Sequence, residues 1–283
     1  MLLYPNCKIN IGLRVVNKRE DGYHNIETIF YPVYRFRDEL EVNPAPYFQF
    51  RQEGIVVDCK EEDNLIIRCY QRMAERYPQI GKVAIRFKKN IPFGAGLGGG
   101  SSDAAHTAIA LNELFELGLT KAQLAEEVRP LGADCPFFIY NTPCFAEGIG
   151  DRLTPIDLSL KGLRLLMIKP SIHVSTREAY SGIQPNPTPL SLSTSHSLTL
   201  SSIKHFTNDF EGTVFGQHPI LAQIKKHLLD IGAIYAAMSG SGSTIYALFE
   251  NDTERSADTQ LRRLNEEFAS MIIFNNTLTQ AKA

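Results

Sequence analysis

A glycine-rich stretch over residues 90–105 constrains this chain more than any other feature of its sequence. It reads Asn-Ile-Pro-Phe-Gly-Ala-Gly-Leu-Gly-Gly-Gly-Ser-Ser-Asp-Ala-Ala, with five glycines among the seven residues 94–100. Alternating apolar and polar residues over 82–88 predict a strand before it, and the Ser-Ser-Asp-Ala-Ala run predicts a helix after it. The glycines therefore occupy a strand-to-helix turn.

A turn of this kind predicts an anion site. Glycine adopts positive φ without steric penalty, so several backbone N–H groups can converge on one concave surface, with the free N–H groups of the helix behind them. A phosphate is the expected occupant. A flexible glycine linker is the alternative, and the helix start that directly follows the glycines argues against it.

Length and composition limit the class of protein. The 283 residues suffice for one large or two medium domains, and a formal net charge of −2 gives no indication of a nucleic acid or an anionic membrane as partner. The five cysteines include no Cys-x-x-Cys pair, which argues against a disulfide framework or a zinc site and favours a reducing, cytoplasmic location. We expect no targeting segment and no membrane-spanning run.

The first half of the chain mixes strands with helices. Residues 8–16 alternate in polarity, so Lys8 and Asn10 project from the same face of a predicted strand. A charged turn and a second strand follow, which places Tyr23 and His24 at the mouth of a hairpin. Further strands are predicted over 39–42, 47–52 and 82–88, and helices over 63–77, 102–117 and 120–128.

Asp134 lies in a second unusual stretch, residues 132–138, where a small-residue turn is followed by a proline and aromatic residues. An aspartate in such a turn is ordinarily a helix cap or a turn residue, and a catalytic carboxylate is the alternative. A strand interrupted by glycines is predicted over 145–153. A domain boundary is expected between residues 155 and 162.

The second half of the chain has a recognisable order of elements. The predicted elements are a strand over 163–169, helical residues from 175, a helix over 219–229, strands over 233–238 and 244–249, a helix over 253–268 and a strand over 271–274. This is the β-α-β-β-α-β order of the split βαβ arrangement, with a polar surface excursion over 184–202. Residues 239–243 form either a plain hairpin loop or a second backbone surface beside the phosphates.

The glycine-rich stretch is neither a Walker P-loop nor a dinucleotide fingerprint, because it lacks the Gly-Lys-Ser/Thr ending of the one and the first-strand position of the other. Its pattern Pro92-x-x-x-Gly96-Leu97-Gly98, followed by two serines and later two alanines, resembles the phosphate loop of the GHMP kinases. The other stretches that carry the resemblance are residues 8–13, 19–24, 132–138, 145–148 and 239–242, so the resemblance spans essentially the whole chain.

The resemblance implies an α+β fold of two domains. Residues 1–158 would form an ATP-binding and catalytic domain, the ribosomal protein S5 domain 2-like α/β domain of the family. Residues 159–283 would form a substrate-binding, ferredoxin-like (split βαβ) domain. The resemblance further implies ATP as co-substrate, Mg²⁺, a small-molecule acceptor, no nucleic acid or membrane partner, and a monomer or weak homodimer.

The resemblance also implies roles for individual residues in phosphoryl transfer. Asp134 would take or orient the proton of the attacking hydroxyl, and Lys8 would lower the pKa of that hydroxyl and stabilise charge during transfer. Ser102 would contribute to Mg²⁺ binding. The ATP contacts would come from Pro92, Gly94, Ala95, Gly96, Leu97, Gly98, Gly99, Gly100, Ser101, Ser102, Asn64 and Leu65.

The extra glycines and the Asp-Gly-Tyr-His run point, within the family, to a branch whose substrate joins a cytidine diphosphate to a methylated erythritol. Tyr23 and Tyr180 would sandwich the cytosine, since each stacked ring contributes roughly 1 to 3 kcal/mol. His24 would contact the edge of the base. The remaining substrate contacts would come from Asn10, Ile149 and Thr176.

Other functions are open to a chain with these motifs. Another GHMP kinase, such as a homoserine or mevalonate kinase, would share the phosphate loop but have no use for Tyr23 and His24 as a nucleoside platform. A non-catalytic sugar or nucleotide sensor would be free to lose Asp134 and Lys8, and both are present. A nucleic-acid-binding module is disfavoured because the basic residues are dispersed.

Overall fold

The computed structural model describes residues 1–56, 60–188, 190, 197–250, 264 and 266–280. The strands in chain order are β1 (Leu2–Leu3), β2 (Asn6–Lys18), β3 (His24–Arg37), β4 (Glu39–Pro44), β5 (Gln49–Gly54), β6 (Val83–Lys89), β7 (Cys144–Glu147), β8 (Arg152–Pro155), β9 (Asp157–Leu158), β10 (Arg164–Ile168), β11 (Ser197–Leu198), β12 (Tyr235–Met238), β13 (Ile245–Phe249) and β14 (Ile272–Thr277). The helices are α1 (Leu65–Arg76), α2 (Gly99–Leu114), α3 (Lys121–Val128), α4 (Cys135–Tyr140), α5 (Thr176–Tyr180), α6 (Leu200–Ile203), α7 (Phe210–Gln217), α8 (Pro219–Asp230) and α9 (Glu266–Ala269).

These elements form two compact units whose segments interleave along the chain. The first unit comprises Met1–Lys8, Phe36–Phe93 and Gly98–Thr142. The second unit comprises Ile9–Arg35, Gly94–Leu97 and Pro143–Ala283. The chain thus passes between the units five times: inside β2, inside β3, twice inside the glycine-rich stretch and once after Thr142. The division of the chain at residues 158 and 159 stays a prediction.

The first unit is a four-stranded sheet with a layer of helices. Its strand order is β1-β4-β6-β5, in which β4 is antiparallel to β1 and β6, and β5 is parallel to β6. Helix α2 contacts α1, α3, α4 and strand β4. Most of α2 is buried, because its small residues allow the neighbouring helices to approach closely.

The boundaries of three helices in the first unit follow from their caps. The helix predicted over 120–128 is α3, and it begins at a capping box that Thr120 forms with Gln123. The sequence predicts Asp63 as the N-cap of α1, but the prediction is wrong by one residue, because Asn64 accepts the N–H of Ile66 at 2.9 Å. Helix α2 begins inside the glycine run, three residues before the predicted start, and ends at Leu114.

The second unit contains two four-stranded sheets and a short parallel pair, β9 with β11. One sheet has the order β2-β3-β7-β8. The prediction of a single interrupted strand over 145–153 is wrong, because β7 and β8 are separate strands that pair antiparallel as a hairpin around a turn over 148–151. The other sheet has the order β12-β13-β10-β14, with β10 antiparallel to both neighbours. This order confirms the predicted split βαβ arrangement.

The helices of the second unit cover the β12-β13-β10-β14 sheet. Buried residues of α7 and α8, among them Phe210, Leu221 and Ile224, pack with Leu166 and Ile168 of β10 in one apolar core. The sequence does not predict α7. Most of the predicted helix over 253–268 lies outside the described residues, which include α9.

Within the described ranges, every helix lacks the length or the apolar composition that crossing a membrane requires.

Candidate active site

The glycine-rich stretch forms the predicted turn between a strand and a helix. Strand β6 ends at Lys89, α2 begins at Gly99, and the three glycines 94, 96 and 98 have φ values of +61°, +73° and +68°. Gly98 is the left-handed N-cap of α2 and makes no side-chain capping hydrogen bond to its first turn. These are the backbone features of an anion site at a helix N-terminus.

Close packing explains why glycine occupies position 98. In the first unit, a Cβ on Gly98 would lie 3.0 Å from the ring of Phe138 and 3.2 Å from Cε of Lys8. The side chain of Lys8 therefore lies directly against the start of α2.

Lys8 and Asp134 are brought together in the first unit, although 126 residues of sequence separate them. Nζ of Lys8 lies 3.4 Å from Oδ2 of Asp134. Asp134 directly precedes α4, yet its side chain makes no capping hydrogen bond to that helix. The carboxylate is therefore paired with the lysine instead of serving as the helix cap that an aspartate in this position usually is.

Asn10 lies on β2 in the second unit, where each of its polar backbone groups has a partner. Its N–H donates to Oγ of Ser239 at 3.2 Å, and its carbonyl accepts from the hydroxyl of Tyr246 at 2.7 Å. Its side-chain Nδ2 donates to Oγ1 of Thr28 at 3.1 Å. The buried side chain is therefore held in one orientation.

The residues between β6 and α2, 90–98, are called the glycine loop below. Within the second unit, Ser239 connects Gly96 of this loop to β2. Its Oγ donates to the carbonyl of Gly96 at 2.8 Å, and a Cβ on Gly96 would lie only 1.9 Å from the carbonyl oxygen of Ser239. The residues between β12 and β13 thus form a hairpin loop, one of the two forms that the sequence leaves open, and this loop also packs against the glycine loop. Buried Asn208 donates to the carbonyls of Met238 and Gly240, at 2.8 Å each, and fixes the hairpin.

Three aromatic residues of the second unit lie in the region expected to bind a base. The ring of Tyr23 is 62% exposed. His24 stacks on Tyr180 with ring centroids 4.7 Å apart and an interplanar angle of 19°, and Tyr180 meets Phe210 edge to face. Burial, and then the charge of Lys18, lowers the pKa of His24, which favours the neutral imidazole.

Ile149 and Thr176 lie in well-defined local structures of the second unit. The N–H of Ile149 donates to Oδ1 of Asp151 at 3.3 Å, in the turn between β7 and β8. Thr176 is the first residue of α5, which begins with a capping box formed by Ser175 and Glu178.

The remaining predicted ATP contacts lie at the starts of α1 and α2 in the first unit. Leu65 is next to the start of α2, since its Cδ1 is 3.5 Å from the position of a Cβ on Gly100. The side chain of Asn64 is the cap of α1. Ser102 is fully buried, with its Oγ 3.4 Å from Nδ1 of His106.

The predicted site residues thus fall into two groups. The first unit contains Lys8, Asn64, Leu65, Pro92, Gly98, Gly99, Gly100, Ser101, Ser102 and Asp134, and the second contains Asn10, Tyr23, His24, Gly94, Ala95, Gly96, Leu97, Ile149, Thr176 and Tyr180. The sequence reasoning missed Asn208 and Lys89. The sequence could have identified Lys89, because the alternation in β6 places this lysine on the same buried face as Val83, Ile85 and Phe87, where a charged residue is unusual.

Comparison with protein families gives two matches along the chain. Residues 64–142 match the model described as GHMP kinases N terminal domain, and residues 198–270 match the one described as GHMP kinases C terminal.

Individual relatives agree with these matches. The chain is 47% identical over 255 residues to the 4-diphosphocytidyl-2-C-methyl-D-erythritol kinase of Bacteroides thetaiotaomicron, covering 88% of this chain and 92% of the relative. It is 48% identical to the protein of the same name from Parabacteroides distasonis, covering 89% and 93%. A crystal structure of 4-(cytidine 5'-diphospho)-2C-methyl-D-erythritol kinase superimposes with a TM-score of 0.80 at 30% identity, over 99% of this chain and all of that one.

Proposed function

The chain belongs to the 4-diphosphocytidyl-2-C-methyl-D-erythritol kinases of the GHMP kinase family, and from this premise we propose which of its residues carry the reaction. It is an ATP-dependent kinase. The reaction phosphorylates the 2-hydroxyl of 4-diphosphocytidyl-2-C-methyl-D-erythritol, a step of the non-mevalonate, methylerythritol phosphate route to isoprenoid precursors.

The Lys8–Asp134 pair is the observation that carries the proposal. Phosphoryl transfer requires positioning and charge stabilisation more than covalent chemistry from the protein. Asp134 has a partly exposed carboxylate, which accepts the proton of the substrate hydroxyl or orients that proton as the oxygen attacks. Lys8 is held against this carboxylate by burial and stabilises the negative charge that develops on the attacking oxygen.

The glycine loop is the proposed site of the ATP phosphates. Its positive-φ glycines and the uncapped first turn of α2 direct N–H groups to a bound anion. Leu65, beside Gly100, is the proposed apolar contact of the adenine, and Asn64 supports it by capping α1.

Mg²⁺ is proposed as the metal that accompanies ATP. Among the described residues, no group of three or more His, Cys, Asp and Glu could hold a metal ion by itself. A Mg²⁺ ion bound with ATP therefore fits if phosphate oxygens and water supply most of its ligands, which is how such ions are usually held. When bound, it would neutralise charge on the phosphates. A direct contact from Ser102 stays a prediction, and its hydroxyl would have to turn away from His106 to make it.

The acceptor substrate is proposed to bind in the second unit. The exposed ring of Tyr23 offers a stacking surface for the cytosine, with His24 and the backbone of Ile149 at the edge of the base. Tyr180 is proposed for the second face of the cytosine, which requires the ring of His24, stacked on Tyr180 at 4.7 Å in this structure, to move aside. The neutral imidazole of His24 can both donate and accept a hydrogen bond. The amide of Asn10 and the hydroxyl of Thr176 are the proposed contacts of the erythritol hydroxyls.

One assay tests this proposal against its alternatives. Purified protein with Mg²⁺ and ATP is expected to release ADP only when the cytidyl substrate is added, and Asp134→Asn is expected to abolish most of that release. Turnover of homoserine or mevalonate instead would indicate another GHMP kinase. Substrate binding without turnover would indicate a sensor.

Two further properties complete the proposal. Among the described residues, Cys7, Cys69 and Cys135 are free and buried, in keeping with a reducing cytoplasm. A monomer or weak homodimer is proposed as the oligomeric state, and sedimentation at micromolar concentration would test it.

A further inference from the structure

A cluster of buried charged residues in the first unit joins the residues just before the loop glycines to those just after them. Nζ of Lys89 lies 2.5 Å from Oδ2 of Asp38 and 2.8 Å from Oδ2 of Asp103. The other oxygen of Asp38 accepts two backbone N–H groups, those of Asn90 at 2.6 Å and Ile91 at 2.8 Å. The three charged residues are each no more than 3% exposed.

The positions of these residues along the chain give the cluster its role. Lys89 is the last residue of β6, immediately before the loop, and Asp103 lies in the second turn of α2, immediately after it. Asp38, in the connection between β3 and β4, holds the backbone where the loop begins. One ammonium group therefore joins the strand before the glycines to the helix after them.

The buried charges of this cluster are not an efficient way to stabilise the folded protein. Burial raises the pKa of Asp103 well above its ordinary value, with Lys89 acting in the opposite direction and Asp38 raising it further. Burial by itself would lower the pKa of Lys89, but the charges of Asp103 and Asp38 outweigh it. Oδ1 of Asp103 is buried and has no hydrogen-bond partner among the described residues. Apolar residues usually stabilise such a position at least as well as buried ions do.

We propose that Lys89, Asp38 and Asp103 are positioning residues that hold the glycine loop in the shape that receives the nucleotide phosphates, a role that rests on the proposed kinase function. Glycine-rich backbone has many accessible conformations, so an unrestrained loop would lose conformational entropy when it binds an anion. The cluster removes that loss in advance by fixing both ends of the loop. None of the three side chains needs to touch ATP for this effect.

Asp103→Leu separates positioning from stability. The substitution cuts the connection to α2 but leaves Lys89 and Asp38 as a balanced pair, so the free energy of unfolding in urea is expected to change little. The KM for ATP is expected to rise about tenfold or more, with a smaller change in kcat at saturating ATP. The dissociation constant of ADP with Mg²⁺, measured by calorimetry, should rise by a similar factor.

Two variants serve as controls for this experiment. Asp103→Asn keeps the size of the side chain and an oxygen that can accept from Lys89, so it should recover most of the ADP affinity. Thr107→Val removes another buried hydrogen bond one turn further along α2, that from Oγ1 of Thr107 to the carbonyl of Asp103, and should leave the KM for ATP at the wild-type value.

Hydrogen exchange provides a readout that does not depend on turnover. In Asp103→Leu, the amides of residues 90–100 are expected to exchange faster than in the wild type, while those of α3 do not. Unchanged ADP affinity together with unchanged exchange in these residues would overturn the proposal. A wild-type protein that shows no kinase activity would instead overturn the proposed function, and the exchange experiment would still report whether the cluster orders the loop.

Discussion

Nζ of Lys8 lies 3.4 Å from Oδ2 of Asp134, and the two side chains differ sharply in exposure, at 4% and 30%. The ammonium is thus enclosed behind a carboxylate that a substrate can still reach. This difference in exposure supports the proposal that the aspartate meets the substrate hydroxyl and the lysine stabilises charge.

Replacing Asp134 by asparagine tests the role of the carboxylate. The amide keeps the size of the side chain but cannot take a proton, so kcat is expected to fall by about 10²- to 10⁴-fold, the usual contribution of a general base. The KM for ATP should be nearly unchanged, because the proposed phosphate contacts lie on the glycine loop. Steady-state ADP release with the cytidyl substrate measures both constants.

A surface ion pair provides the matched control for this substitution. Nζ of Lys226 lies 2.7 Å from Oδ2 of Asp230 on the exposed side of α8, where an ion pair contributes little. Asp230→Asn is expected to leave both kinetic constants unchanged. A loss in Asp134→Asn no larger than that in Asp230→Asn would contradict the catalytic role.

Gly96→Ala tests the packing between the glycine loop and Ser239. The added methyl would lie 1.9 Å from the carbonyl oxygen of Ser239, at a residue with φ of +73°, so the loop must move. We expect the KM for ATP to rise at least tenfold, and the free energy of unfolding to fall by more than the ~1 to 2 kcal/mol that positive φ alone costs an alanine. Urea unfolding and steady-state kinetics measure the two effects.

Gly118→Ala isolates the backbone part of that effect. Gly118 has a similar φ of +68°, but a Cβ there would meet nothing within 4 Å. The free energy of unfolding of Gly118→Ala should fall only by the cost of an alanine at positive φ, and its KM for ATP should stay at the wild-type value. Equal effects in the two alanine variants would show that the contact with Ser239 is unimportant.

Much of the fold can be predicted from local patterns in the sequence. The alternation in β2 places Lys8 and Asn10 correctly on a strand, Thr120 marks the start of α3, and the order of elements in the second half gives the sheet that contains β10. These features depend on residues that are near one another in sequence. Side-chain period and capping chemistry therefore suffice to specify them.

Features that depend on distant contacts cannot be predicted in the same way. Helix α2 begins at Gly99, in a run of poor helix formers, and a Cβ at that position would lie 3.0 Å from both Cγ2 of Ile91 and Nζ of Lys89, so close packing favours glycine there. Helix α7 lacks a strong helical pattern, and its position follows from its burial against α8. The pairing of Lys8 with Asp134 depends on the tertiary fold, so family resemblance predicts it and composition does not.

Tyr23→Ala tests the proposed cytosine platform. The substitution removes an exposed ring, so stability should change little, whereas the KM for the cytidyl substrate is expected to rise in proportion to the roughly 1 to 3 kcal/mol of a stacked base, or about 5- to 150-fold. Tyr47→Ala removes an equally exposed ring, 63% accessible, from the first unit and serves as the control. A KM that is the same in both variants would rule out stacking on Tyr23.

His106 is expected to make the free energy of unfolding depend on pH, and the direction of that dependence follows from its lowered pKa. Burial lowers the pKa of His106 from its ordinary value of 6.5, with a hydrogen bond to the backbone of Ser102 acting in the opposite direction. Between 6.5 and the lower pKa of the folded protein, the unfolded chain binds the proton and the folded chain does not. The stabilisation is therefore complete above pH 6.5 and is lost as the pH falls through the folded-state pKa.

His106→Gln should remove this contribution. The free energy of unfolding of the wild type, measured in urea from pH 8 to pH 5, is expected to fall below pH 6.5 with an additional slope of up to about 1.4 kcal/mol per pH unit that the variant lacks. Any difference between the two proteins at pH 8 reports lost packing and the lost hydrogen bond to Ser102, since His106 is neutral there in both states. Parallel curves over the whole range would mean that burial does not depress the proton affinity of His106.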